Sequence, residues 1–119
     1  MKKTVVIGAS DNPERYAYKA TLALQKNKYE VIPVGLKDGK INNIEILKGF
    51  PPLSNIDTVT LYVGPKHQLA WYDYILSLKP KRVIFNPGTE NMELEKLLTK
   101  NKIEFEEACT LVLLSTGNY

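Results

Sequence analysis

The chain has 119 residues, 44% hydrophobic and 24% charged, the composition of one ordinary globular domain and too little chain for two. Its formal net charge of +3 comes from scattered lysines, which suits an anionic ligand but excludes the basic run with interleaved aromatics of a nucleic-acid groove. One cysteine, Cys109, and one histidine, His67, are too few for an internal disulfide or a Cys/His metal site, so no metal is expected.

The apolar run after Lys3 stops at Gly8, too short for a signal peptide or a membrane span, and a cytoplasmic protein with no membrane partner is expected. Thr4–Ile7 is continuous rather than alternating, which predicts a strand buried on both faces. Asn12 as cap and Pro13 as first residue predict a helix to about Lys28, with Ala17, Ala20 and Leu24 as its buried stripe and Ala23 and Tyr16 widening it. Tyr29–Val34 reads as a second strand closed by Gly35. From Leu36 to Ile56 the periodicity fails. Gly39, Gly49, Pro51 and Pro52 mark an irregular crossover, with at most a short turn of helix or strand near Ile44–Leu47.

Asp57–Val63 predicts a third strand, stopped by Gly64-Pro65. Gln68–Leu78 follows as a helix with Leu69, Tyr72, Ile75 and Leu76 on one face, broadened by Trp71, Tyr74 and Leu78 and ended by Pro80. Trp71 and Tyr72 are read as core, and Lys79, Lys81 and Arg82 as a solvated turn. Arg82–Phe85 is a fourth strand. Asn91 caps a last helix striped by Leu94, Leu97 and Leu98, with Glu93 and Glu95 near its positive end. Ile103–Glu106 is a fifth strand, with Glu104, Glu106 and Glu107 facing water. Thr110–Leu114 is an apolar tail free to pair as a sixth, C-terminal strand or to cover an edge. The alternation predicts one α/β domain over residues 1–119: a Rossmann-like three-layer fold with a mostly parallel five-stranded sheet.

In such a sheet ligands sit at the carboxyl ends of the strands. Gly8 permits a tight turn after the first strand, the amides that follow can face a phosphate, Ser10 adds a hydroxyl and Arg15 a charged fork. The same turn also serves as a plain strand-to-helix connection without a ligand. A dinucleotide fingerprint would need glycine at Ser10 and Pro13 and an acid where Lys37 stands, which disfavours NAD and disfavours NADP less. His67 beside Gly64-Pro65 could act as a base and Cys109 as a thiol, but each has a simpler reading, as a surface residue and as small apolar packing.

Val5-Val6-Ile7-Gly8-Ala9-Ser10-Asp11-Asn12-Pro13-Glu14-Arg15 resembles the opening of the CoA-binding domain family, small Rossmann-like proteins similar to the N-terminal domain of the succinyl-CoA synthetase alpha subunit. The likeness continues through Val31-Ile32-Pro33-Val34, Gly49 with Pro52–Asp57, Asn86-Pro87-Gly88-Thr89-Glu90-Asn91 and Glu107-Ala108-Cys109. It implies CoA or acyl-CoA as ligand. The phosphates would lie on Gly8, Ala9, Ser10 and Asp11 with Arg15, and the nucleotide would be flanked by Val34, Gly35 and Lys37, or Lys40 for the charge. The pantetheine path would then follow Val63, Gly64, Pro65, Pro87, Gly88 and Thr89. Gly35-Leu36-Lys37 stands where the family more usually has a proline-lysine pair. The synthetase's phosphorylated histidine belongs to a second domain with no counterpart here. The resemblance therefore implies a binding or regulatory module with no catalytic residues of its own. Two rivals are an NADP- or flavin-dependent oxidoreductase-type domain on the same scaffold, and an interaction protein that has lost its ligand. In the second rival the tail Leu111–Leu114 would serve as a surface for a homo-oligomer.

Overall fold

The β-branched run after Lys3 forms the centre of the sheet, as its unbroken hydrophobicity requires. The protein is described here by a computed structural model covering residues 2–119. In chain order the elements are β1 (Lys3–Ile7), α1 (Tyr16–Lys26), β2 (Glu30–Gly35), β3 (Lys40–Ile41), β4 (Ile44–Glu45), β5 (Leu47–Lys48) and β6 (Thr58–Leu61). They continue with α2 (Pro65–Gln68), a 3₁₀ turn (Leu69–Trp71), α3 (Tyr72–Leu78), β7 (Arg82–Phe85), α4 (Met92–Lys100), β8 (Glu104–Glu107) and α5 (Thr110–Ser115). The main sheet has the order β5-β2-β1-β6-β7-β8 and every pairing in it is parallel. β3 and β4 form a small antiparallel ladder of their own. No helix among the described residues is long and apolar enough to cross a membrane.

The Rossmann-like α/β reading holds, with two corrections. The sixth strand is β5, inside the stretch without periodicity, where Leu47 and Lys48 pair with Val34 and Gly35 at the edge of the sheet. The tail is helix α5 instead of a strand. Two bonds start that helix: the Thr110 amide donates to Asn86 Oδ1 at 2.9 Å, and Thr110 Oγ1 meets Thr60 Oγ1 at 2.7 Å. Leu113 and Leu114 then pack onto the sheet beside α1.

The two faces of the sheet differ because alternate residues point to opposite sides. Val5, Ile7, Val59, Leu61, Val83 and Phe85 face α3 and α4 in a dry apolar cluster. Val6 and Ile84 face the Ala17 and Leu24 side of α1, together with buried Thr4, Thr58 and Thr60. The small α1 residues let that helix lie close, and each fully buried Leu or Val contributes about 1.5–3 kcal/mol. The threonine hydroxyls are satisfied: Thr4 bonds the Tyr119 hydroxyl, Arg82 donates to Thr58, and Asn86 donates to Thr60.

Several local expectations change for geometric reasons. α1 starts at Tyr16, because Asn12–Arg15 close a turn in which the Arg15 amide donates to Asn12 O; Tyr16 itself is exposed. The 3₁₀ turn winds three residues per turn, so it rotates the stripe before α3: Leu69 points out, 70% exposed, while Trp71 turns in. Lys79 at φ 49° ends α3 one residue before Pro80. Arg82 is half-buried and reaches Glu106 at 3.5 Å, so neither belongs to a purely solvated surface. Asn91 does cap α4, accepting from the Glu93 and Leu94 amides.

Candidate ligand-binding site

The strand order reverses at β1, with β2 on one side and β6 on the other, and the loops leaving these strands part there. Registers Ile7↔Val34 and Ile7↔Leu61 bring the three strand ends level. Two clefts open at this edge and share Gly8 and Ser10.

The larger, about 780 Å³, runs from Gly8–Asp11 across Leu36, Lys37 and Asp38 to Val63, Lys66 and His67, with Ile46, Phe50, Leu69 and Trp71 as its apolar wall. Phe50 packs against Trp71 with the rings tilted by 59° and their centroids 4.9 Å apart. The smaller, about 620 Å³, lies between Arg15–Ala17 at the start of α1 and Gly64 with Pro87, Gly88 and Thr89. A further cavity of about 240 Å³ lies beyond it, between Tyr16, Tyr62, Asn86, Pro87 and Cys109.

Backbone geometry makes the meeting point. The Gly8 and Ala9 amides both donate to Val34 O at 3.0 Å, which pins the loop to the end of β2. Gly8 has φ +94°, and a Cβ there would stand 2.9 Å from Tyr62 O. At Gly35 a Cβ would stand 2.7 Å from Ala9 O, so only glycine lets the two loops approach this closely. Ser10 Oγ accepts from the Asn12 amide at 3.1 Å and keeps its own proton free to donate. No side chain caps α1, and its first residues, Tyr16 and Ala17, line the smaller cleft, which puts the positive end of the helix dipole at that cleft. Formal charges nearly cancel: Lys37 and Lys66 against Asp11 and Asp38 in the larger cleft, Arg15 against Glu14 in the smaller. An anion placed here would meet main-chain amides and the helix dipole more than any excess of lysine.

Of the residues singled out from the sequence, Gly8, Ala9, Ser10, Asp11, Lys37 and Val63 line the larger cleft, and Arg15, Gly64, Pro87, Gly88 and Thr89 the smaller. Val34 and Gly35 are buried beneath the first loop and act through their backbone. Lys40 lies on β3 and Pro65 at the start of α2, and neither lines a cleft. Sequence reading did not pick out the apolar wall of Leu36, Ile46, Phe50 and Leu69, nor Lys66. For Leu36, Ile46 and Phe50 the one signal was large hydrophobic residues in a stretch without periodicity, whereas Leu69 was read as part of a helix face. His67 and Cys109 line different cavities. Tyr62 is no candidate base, because burial pushes its hydroxyl far above the ordinary tyrosine range.

A sequence description of the CoA binding domain matches residues 2–115. The chain belongs to the CoA-binding domain family. Its fold is shared with several solved structures over most of their length. A crystal structure of an uncharacterized protein is 53% identical, with a TM-score of 0.97 over 100% of this chain and 98% of that one. A hypothetical protein from Pyrococcus horikoshii OT3 is 25% identical, with a TM-score of 0.87 over 97% and 82% of the two chains. A Thermus thermophilus protein, 22% identical with a TM-score of 0.84 over 99% and 91%, shares the fold. Comparison with curated proteins finds no match. For a CoA-binding domain, the paired clefts lie at the edge of the sheet where a ligand of this kind is expected.

Proposed function

We propose that this member of the family binds CoA or an acyl-CoA in the cytoplasm as a binding or regulatory module, with no chemistry of its own. The observation that carries the reading is the meeting of two clefts over Gly8 and Ser10, which suits a long ligand with phosphates in its middle. The nucleotide would occupy the larger cleft against its apolar wall, near Lys37. Its phosphates would lie on the Gly8–Asp11 amides, the Ser10 hydroxyl and Arg15, and the pantetheine arm would run past Gly64, Pro87, Gly88 and Thr89. An acyl group at the end of that arm would reach the small cavity beside Cys109.

Thermal-shift and titration measurements with CoA, acetyl-CoA, NAD, NADP and FMN test this. A ligand at a hundredfold excess over its Kd stabilises the fold by about 2.7 kcal/mol. CoA or acetyl-CoA should raise the Tm. A shift with NADP or FMN and none with CoA would sink the reading.

A further inference from the structure

Gln68 is the last residue of α2 and is completely buried, although an apolar side chain would be the ordinary choice there. Its amide nitrogen donates to Val63 O at 2.7 Å and to Thr89 O at 2.6 Å, and its oxygen accepts from Asn91 Nδ2 at 2.9 Å. Both of its N–H donors are thus spent on main-chain carbonyls of two different loops. The β6–β7 ladder ends at Leu61↔Phe85, and Asn86 adds one tie beyond it by donating to Leu61 O. Further out, the sheet no longer sets the spacing of the two loops. Gln68 takes over at the level where Val63 walls one cleft and Thr89 the other. Its own position is held from α4, since Asn91 also donates to the Tyr72 hydroxyl, which in turn donates to Glu93.

We infer that Gln68 is the positioning residue of the groove: it sets the distance between the loops after β6 and β7, and so the geometry on which ligand affinity depends. This rests on the CoA reading above. Methionine at this position would match the length of glutamine and fill the space, but would take the amide donor from the buried Thr89 carbonyl and the partly buried Val63 carbonyl. The loops would then settle at another spacing, and the groove would no longer be preorganised.

The test compares wild type, Gln68→Met and Asn91→Ser, the last keeping an oxygen to cap α4 but losing the donor to Gln68. CoA titrations run well below each Tm, beside amide hydrogen exchange of the ligand-free proteins. Gln68→Met should weaken CoA binding about tenfold or more, with a smaller loss for Asn91→Ser. Exchange should quicken at residues 62–66 and 87–91 while β1 stays protected. A Gln68→Met protein with lowered Tm but wild-type Kd would reduce Gln68 to a structural role and overturn the inference. If Gln68→Met does not fold, Asn91→Ser decides by the same two readouts. Failure of wild type to bind CoA would remove the proposed function instead. The brace would then stand or fall on exchange alone: acceleration confined to the two loops supports it, and uniform acceleration overturns it.

Discussion

Ser10 and Arg15 show how far one residue can carry recognition. The Ser10 hydroxyl proton is free and the Arg15 side chain is exposed beside the uncapped start of α1, so neither holds the core together. Ser10→Ala with Arg15→Ala should weaken CoA binding by about 2 kcal/mol or more, as expected for lost bonds to a charged ligand, and leave the Tm nearly unchanged. Gly35→Ala should behave differently. The new methyl meets Ala9 O, a main-chain atom that cannot swing aside, so stability should fall by about 1–3 kcal/mol and CoA affinity with it. Urea denaturation beside calorimetric titration separates the two kinds of effect. Both glycines of the first loop region were legible in sequence as punctuation. That Gly35 faces Ala9 was not, because the contact joins two strands far apart in the chain.

Among the elements, α4 and β8 meet through like charges. One carboxylate oxygen of Glu95 is buried without a hydrogen-bond partner. Burial, then the neighbouring Glu107 carboxyl and the charge of Glu90, push the Glu95 carboxyl up from its ordinary 4.5 to about 7. The folded chain then holds more protons than the unfolded one between those two values, so stability falls as pH rises through that window. Glu95→Gln should remove this dependence, gaining stability relative to wild type at pH 8 but not below pH 5; urea midpoints across the range would show it. Sequence periodicity placed Glu95 at the favourable end of α4 and could not show Glu107 arriving from β8. The 3₁₀ turn before α3 was illegible for a similar reason: packing of Trp71 against Phe50 and Tyr74 outweighs the regular helical spacing.

Over the whole molecule, the packing of Tyr119 and the proposed ligand site lie at opposite ends of the parallel strands. Tyr119 packs at the amino ends, where its hydroxyl meets Thr4, Arg82 lies over its ring at 4.6 Å and Lys2 donates to its carbonyl at 2.7 Å. Tyr119→Ala should cost about 3 kcal/mol in unfolding free energy and leave the CoA Kd unchanged, since the clefts lie at the carboxyl ends. An equal loss in affinity would show that the two ends are coupled.

The sequence by itself determined the α/β alternation, the buried strands β1 and β6, the Asn91 cap and the loops that supply most of the groove. Each of these is a local pattern: a β-branched run, a capping residue, a glycine at a strand end. The tertiary structure alone decided which chemistry-bearing groups meet. It placed β5 at the sheet edge, turned the apolar tail into α5 through Asn86 and Thr60, and assembled the Phe50–Trp71 wall. It also tied two loops together with one glutamine. Those features depend on partners distant along the chain, whose contacts exist only once the sheet has brought them level.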